Sequence, residues 1–384
     1  MGPRRALIEN VVRELAAMDR PSASEGERRA AEVLAGRLRD LGWDARIEVE
    51  RAHGGFWWPL ALANALAFVA TFLPRPLRVA LAALAAAAVY DDTTGGRQWF
   101  RRPLQTRRTH NVVAEGGDPS AARTLVVVAH HDAAHTSVIY NPAVPLAVAR
   151  RFPDQVERSD RTFPVMWPTV LGPILAAAGL RRSARFLTAG VCAVMADIAR
   201  SPVVPGANDN LAAVGVLAAV ADALRERPVA GARVVLLSTG SEESFSEGMQ
   251  GFVRRHRERL LDGDAHVLAL ECIGSPVLCI VEGEGMMEMR DYPAAERDAL
   301  LRAAQDAGVE VTRGLRTVAA SDAVVTMRRG IPSAMLGGVD ATTWFPANYH
   351  WPTDVADNLS WDRIDDTAAL TEAWIRRMAA DGAP

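Results

Sequence analysis

Two histidines and several carboxylates of this 384-residue chain stand mostly where strands should end, the place where a sheet delivers side chains for chemistry, with one histidine in a later loop. His130-His131-Asp132 follows the apolar run 125–128. A histidine leaving a strand, with an aspartate two residues on, suits a metal ligand whose tautomer a carboxylate fixes. Gly206-Ala207-Asn208-Asp209-Asn210 opens an apolar helix, where Asp and Asn are also ordinary N-caps. Ser241-Glu242-Glu243 follows the apolar run 234–237. Glu271 closes the run 267–270, at the rim of a buried sheet where an unpaired charge is costly. His350 and Asp354 belong to Tyr349-His350-Trp351-Pro352-Thr353-Asp354. Each segment alone has a plain reading as loop polarity, a cap or solvated acid. Together, two histidines and three or four carboxylates form a nitrogen and oxygen ligand set for two divalent ions. The imidazoles favour zinc, with cobalt or manganese as substitutes.

The elements that must position these groups follow from the alternation of the chain. Helices are expected near 1–17 and from Ser24 to Leu41, with Ser24 and Glu27 as a capping box. Strands are expected at 47–51, 111–114 and 124–129. From Asp209 onward, helices at 210–225, 248–261, 293–306, 322–329 and 361–378 alternate with strands at 233–238, 266–270, 277–281, 309–312 and 333–336. That alternation predicts a three-layer α/β/α fold around a mixed sheet, one catalytic domain spanning 1–384.

Composition excludes other chemistries. All 43 basic residues are arginine, so no lysine is available for a Schiff base, a phosphate loop or a general base. The net charge of −3 offers no basic field for nucleic acid. Cys192, Cys272 and Cys279 form no C-x-x-C pair, which argues against a disulfide framework or a thiolate zinc site. No H-E-x-x-H or G-x-S-x-G occurs. The N-terminus has helical periodicity rather than a signal peptide's apolar core, so the expected compartment is the cytoplasm.

Read in order, the segments A-H-H-D (129–132), G-A-N-D-N (206–210), S-E-E (241–243), L-E-C-I-G (270–274), S-D (321–322) and Y-H-W-P-T-D (349–354) resemble the co-catalytic di-zinc aminopeptidases. That clan includes bacterial leucyl aminopeptidases, glutamate carboxypeptidase II and glutaminyl cyclases. The resemblance implies a zinc-exopeptidase-like sheet whose first three strands form an antiparallel meander. It implies that His130 and Glu271 bind one zinc ion, Glu243 and His350 the other, and Asp209 both. Asp132 would orient His130. Glu242 would be the general base for a metal-bridged hydroxide that cleaves N-terminal peptide bonds. The bond between Asp209 and Asn210 is expected to be cis. Two positions depart from the family pattern: Glu271 stands where an aspartate is usual, and Ser321-Asp322-Ala323 lacks the family's histidine. A carboxypeptidase, a small-amide deacylase and a non-catalytic scaffold of the same fold remain open alternatives.

Two apolar insertions, 51–108 and 136–205, interrupt the pattern. Each reads as apolar helix, arginine-bearing turn, apolar helix: 56–73 with 79–90, and 162–180 with 186–198. Both should rise from the edge that carries the metals, where Trp57, Trp58, Phe163 and Trp167 would wall the approach. A packed helical cap, a homodimer surface and a membrane-facing element are the three readings of these hairpins.

Overall fold

The computed structural model describes residues 2–162 and 164–381; Phe163, expected in the wall of the site, lies outside them. The chain opens with α1 (Pro3–Ala16), α2 (Glu25–Asp40) and β1 (Asp44–Ala52). The first insertion supplies α3 (Trp57–Ala70) and α4 (Arg75–Thr93). Strands β2 (Arg107–Gly117) and β3 (Arg123–His130) follow. The second insertion holds α5 (Ala143–Arg151), α6 (Pro153–Arg158), α7 (Trp167–Ala178) and α8 (Arg181–Arg200). Then come α9 (Ala212–Glu226), β4 (Arg233–Thr239), α10 (Glu247–Arg255), α11 (Arg257–Leu261), β5 (Asp264–Glu271) and β6 (Val277–Ile280). The remainder is β7 (Gly283–Glu284), β8 (Arg290–Asp291), α12 (Ala294–Ala307), β9 (Arg316–Thr317), α13 (Asp322–Met327), β10 (Ser333–Val339) and α14 (Trp361–Asp381).

Seven strands form a mixed sheet in the order β1-β2-β4-β3-β5-β10-β6. The core strands β4, β3, β5 and β10 run parallel. One face is covered by α1, α2, α9, α12 and α14, whose Ile8, Leu34, Leu217, Leu300 and Trp374 join one apolar core. The other face is covered by α10, α11 and α13 through Met249, Phe252, Leu260 and Val325. The result is the expected three-layer arrangement.

The structure corrects four local expectations. The first three strands are not a meander: β4 lies between β2 and β3, antiparallel to the first and parallel to the second. The crossover through α9 carries β4 into that gap. The strand expected at 309–312 reduces to a single bridge between Thr312 and Cys279. The helix expected at 248–261 breaks at His256, whose Nε2 lies 2.9 Å from a carboxylate oxygen of Glu48 on β1. The arginine-bearing turns are helical starts. Pro76 sits in the first turn of α4, where its missing N–H costs nothing, so α4 reaches 19 residues. Gly179 closes α7 at φ +91°, and α8 begins two residues later and runs 20 residues. The apolar run 162–180 becomes helical only from Trp167, with Pro168 in its first turn.

Candidate metal centre

Register decides where the reactive side chains go. His130 at the end of β3 pairs with Thr239 at the end of β4, and Glu271 ends the adjacent parallel strand β5. The loops after these strands therefore converge at one edge of the sheet. Successive strand residues point to opposite faces, so His130 and His131 have different fates. His131 turns into the core, with Nδ1 2.9 Å from Ser238 Oγ, and burial pushes its pKa down to about 3. It is a neutral core histidine.

His130, Asp209, Glu242, Glu243, Glu271, His350 and Asp132 all come together. His130 Nε2 lies 3.1 Å from Asp209 Oδ1 and 3.3 Å from Glu271 Oε1. His350 Nε2 lies 3.1 Å from Asp209 Oδ2 and 3.1 Å from Glu243 Oε1. The two oxygens of Asp209 thus face two different histidines. The longer arm of Glu271 still reaches the cluster. Cys272 lies beside it, its Sγ 3.9 Å from Glu271 Oε1.

A second set of contacts holds these groups in place. Asp132 is fully buried; its Oδ1 accepts from the backbone N–H of Glu242 at 3.0 Å, and its Oδ2 from that of Glu243 at 3.2 Å and from Ser22 Oγ at 2.6 Å. The same carboxylate stands 3.4 Å from His130 Nδ1. Asp354 accepts from the N–H groups of Asn208 (2.6 Å) and Asp209 (3.1 Å). Asn210 donates to Leu270 O at 2.8 Å and accepts from Cys272 N at 3.2 Å, which ties the Asp209 turn to the end of β5. The peptide bond between Asp209 and Asn210 is cis. Arg20, fully buried, donates to His131 O (2.8 Å) and Gly206 O (3.0 Å). Gly206 has φ +60°, and a Cβ there would lie 2.6 Å from Arg20 Nη2 and from Asp209 O. Ser241, Phe245, Ser246, Cys272 and His350 also have positive φ without being glycine, a concentration typical of constrained functional loops.

The electrostatics fit a cation site. Burial, reinforced by Glu243, Glu271 and Asp322 and opposed by His130, pushes Glu242 well above the usual carboxylate range. Burial likewise raises Glu271 to about 8. His130 and His350 are raised well above an ordinary imidazole: burial is the largest single influence and opposes the charged form, but Glu271, Asp132 and Asp209 together outweigh it at His130, and Glu243, Tyr140 and Asp209 together at His350. So much buried negative charge must bind protons or cations. His350 Nδ1 is buried without a hydrogen-bond partner, and Glu243 Oε1 is buried with the His350 ring nitrogen 3.1 Å away. His130, Asp209 and Glu243 offer donor atoms within 4.8 Å of one another, as do Asp209, Glu271 and Cys272. The donors are the nitrogen and oxygen types that zinc accepts, with one thiol alongside. The residues present fit a metal pair.

Sequence reasoning gave no role to Ser22, Arg20, Asp354, Cys272 or Tyr140. The ring of Tyr140 meets His350 edge-on at 4.5 Å between centroids, while Tyr349 stacks on His350 at 3.8 Å. Tyr140 comes from the second insertion and no motif marks it. Asp354 could have been found, because it ends the Tyr349–Asp354 segment that already held His350. Ala323, where the family's histidine is absent, is fully buried in the core beneath α10.

The profile of peptidase family M28 matches residues 188–375, a span that holds Asp209, Glu242, Glu243, Glu271 and His350. Residues 188–375 of the chain belong to peptidase family M28. Solved structures agree on the fold. A glutaminyl cyclase from Bacteroides thetaiotaomicron, bound to N-acetylhistamine, superposes with a TM-score of 0.57 at 12% identity, covering 97% of each chain. An aminopeptidase from Aneurinibacillus sp. strain AM-1 gives 0.56 at 12% identity, over 97% of this chain and 93% of that one. A zinc aminopeptidase from Bacillus subtilis gives 0.55 at 13% identity, over 97% and 94%. No curated protein sequence matches the chain at a significant level. His130 precedes the matched span, which begins inside the second insertion, within α8.

Proposed function

We propose that the chain is a zinc-dependent aminopeptidase, hydrolysing the peptide bond next to a free N-terminus. The observation that carries this reading is the placement of Asp209, one carboxylate oxygen toward His130 and the other toward His350. One ion would be held by His130, Glu271 and Asp209, the other by His350, Glu243 and Asp209. Held there, two divalent ions supply a lowered water pKa and an electrophile for the scissile carbonyl. Glu242 is the side chain left free of ligand duty. It is partly accessible, and its Oε1 receives only the Ser246 hydroxyl, at 3.2 Å. It takes the proton of the attacking water and passes it to the leaving amine. Asp132 holds the Glu242 and Glu243 backbone and the His130 ring in one register.

The charge of the site supports a substrate amine over a substrate carboxylate. The charges that act most on Glu242, Glu243 and Glu271 are those of His130, His350 and other carboxylates. Nearby Arg20 spends its donors on backbone carbonyls, and Arg101 pairs with Asp92 and Glu247. With Arg20 and Arg101 so engaged, neither is free to pair with the carboxylate end of a carboxypeptidase substrate, and the carboxylates not spent on metal would favour a substrate ammonium group. The test is zinc-loaded protein assayed on free-amine dipeptides, the same peptides N-acetylated, acyl-amino acids and peptides with N-terminal glutamine. Turnover confined to the free-amine peptides with release of the first residue is expected. Hydrolysis of the blocked panel, or cyclisation without hydrolysis, overturns the aminopeptidase reading.

A further inference from the structure

The four long helices of the insertions form a bundle whose outside differs from the rest of the surface. Helix α3 packs against α4 and α8, and α7 packs against the same two, which closes a ring. The interior is small and apolar, from Leu60, Val89, Val170 and Ile198 near the sheet to Ala70, Ala82, Ala176 and Ala184 beyond. The exterior is also apolar on every helix. Leu62 and Val69 of α3, Leu84 of α4, Leu171 and Ile174 of α7 and Phe186 of α8 are all exposed, Phe186 to 83%. No charged residue occurs in α3, in 79–90 of α4, in α7 or in 186–196 of α8.

The two ends of this belt carry different chemistry. At the tip remote from the sheet stand Arg75, Arg78, Arg181, Arg182 and Arg185. Among the described residues none of them pairs with a carboxylate, whereas arginines of the catalytic layers such as Arg5, Arg13 and Arg28 do. Arg78 donates to Ala176 O, Arg181 to Leu73 O and Arg185 to Thr71 Oγ1. At the end near the sheet, Tyr90, Trp99 and Trp167 are exposed.

We propose that this bundle is immersed in a lipid bilayer, with Arg75, Arg181, Arg182 and Arg185 on anionic headgroup phosphates, the buried Arg78 bracing them from within, and the Tyr and Trp side chains at the opposite interface. A second copy of the chain would dock on one side and leave the others wet; a bilayer covers a belt on all sides. Cations without carboxylate partners at one rim and aromatic residues at the other complement headgroups, not water. From Arg75 to Tyr90 the helix rises about 22 Å, short of the roughly 30 Å hydrocarbon core. Extended arginine side chains narrow that difference. The anchor is the bundle as a unit. The one helix among the described residues long and apolar enough to cross a membrane by itself, Ala207–Glu226, is 89% buried in the catalytic core, and α3 and α7 are apolar but short. This inference is independent of the metal centre.

The test is flotation of the full-length protein with vesicles of phosphatidylcholine, with and without phosphatidylglycerol. Wild type is expected to float with both, to stay bound in high salt, and to have its tryptophan fluorescence quenched by brominated acyl chains. The double variant Leu84→Glu, Phe186→Glu changes only exposed positions. It is expected to lose at least about tenfold in floated fraction, since a charge within the acyl region is strongly disfavoured, with unchanged circular dichroism. Replacing Arg75 and Arg182 by serine should abolish the preference for phosphatidylglycerol. Wild type that is monodisperse without detergent and stays at the bottom with both vesicle types overturns the proposal. So does a detergent-free dimer that Leu84→Glu alone dissociates, as does the absence of quenching.

Discussion

Asp132→Asn isolates the part of the site that holds its ligands without being one. The wild-type carboxylate accepts three hydrogen bonds in a fully buried position, from Ser22 Oγ, Glu242 N and Glu243 N, and faces His130 Nδ1. An amide of the same shape accepts through one oxygen only. Whichever way it is turned, its NH2 group confronts a backbone N–H, of Glu242 or of Glu243. One buried donor then lacks an acceptor, at a cost of about 1–3 kcal/mol, and the charge that favours a fixed His130 ring is gone. The expected loss of apo-protein stability is about 2–4 kcal/mol, read as a shift of the denaturant midpoint. Loss of such an orienting group also weakens metal binding about 10–100-fold, or about 1.4–2.7 kcal/mol. Competition against a chromophoric chelator reads that loss directly, as weaker binding at the His130 position and, through the Glu243 backbone, at the other. Asp132→Asn protein with wild-type affinity for both ions and wild-type turnover would refute the reasoning, because the carboxylate linking His130 to the Glu242–Glu243 turn would then be dispensable.

Glu242→Gln should lower kcat by at least about 100-fold while both ions stay bound, since it removes basicity and keeps size; parallel metal analysis and steady-state kinetics check this. Gly206→Ala should destabilise the chain by about 1–3 kcal/mol or more, because its φ of +60° and the 2.6 Å approach of Arg20 Nη2 and Asp209 O leave no room for a methyl group; chemical denaturation reads the loss. His266 sits between Glu296 and Asp264, and although burial opposes its charge, those carboxylates raise its pKa. Its contribution to stability is therefore full below the unfolded value of about 6.5 and fades as pH rises through the higher folded value. His266→Gln should flatten that part of the pH profile in urea melts.

The clustering of His130, Asp209, Glu243 and Glu271 was legible because each stands within a few residues of a strand or helix boundary that the apolar pattern already marks; His350, in a turn between β10 and α14, was legible only from the resemblance. Runs such as 125–128 and 267–270 point to His130 and Glu271 without any knowledge of the sheet. Strand order was not legible in the same way. Alternating elements say that β4 follows α9, not that it enters between β2 and β3, because that choice depends on which faces the helices cover. The supporting residues were hidden for a related reason. Ser22 and Arg20 lie more than a hundred residues from Asp132 and His131 in the chain and meet them only once the sheet forms. Tyr140 reaches His350 from a short turn after Ser137, inside an insertion whose composition signals only apolar helices. The lengths of α4 and α8 were underread because the arginines at their starts look like turns, although Pro76 and Gly179 mark where each helix can begin.

The central claim is that Asp209 joins two metal ions in one site, and metal content per chain tests it most directly. Purified protein equilibrated with zinc and freed of loosely bound ions by gel filtration should carry two zinc ions per chain by elemental analysis. Asp209→Ala, folded by circular dichroism, should lose both together. A wild-type chain that holds a single ion, or an Asp209→Ala chain that retains two, would contradict the account.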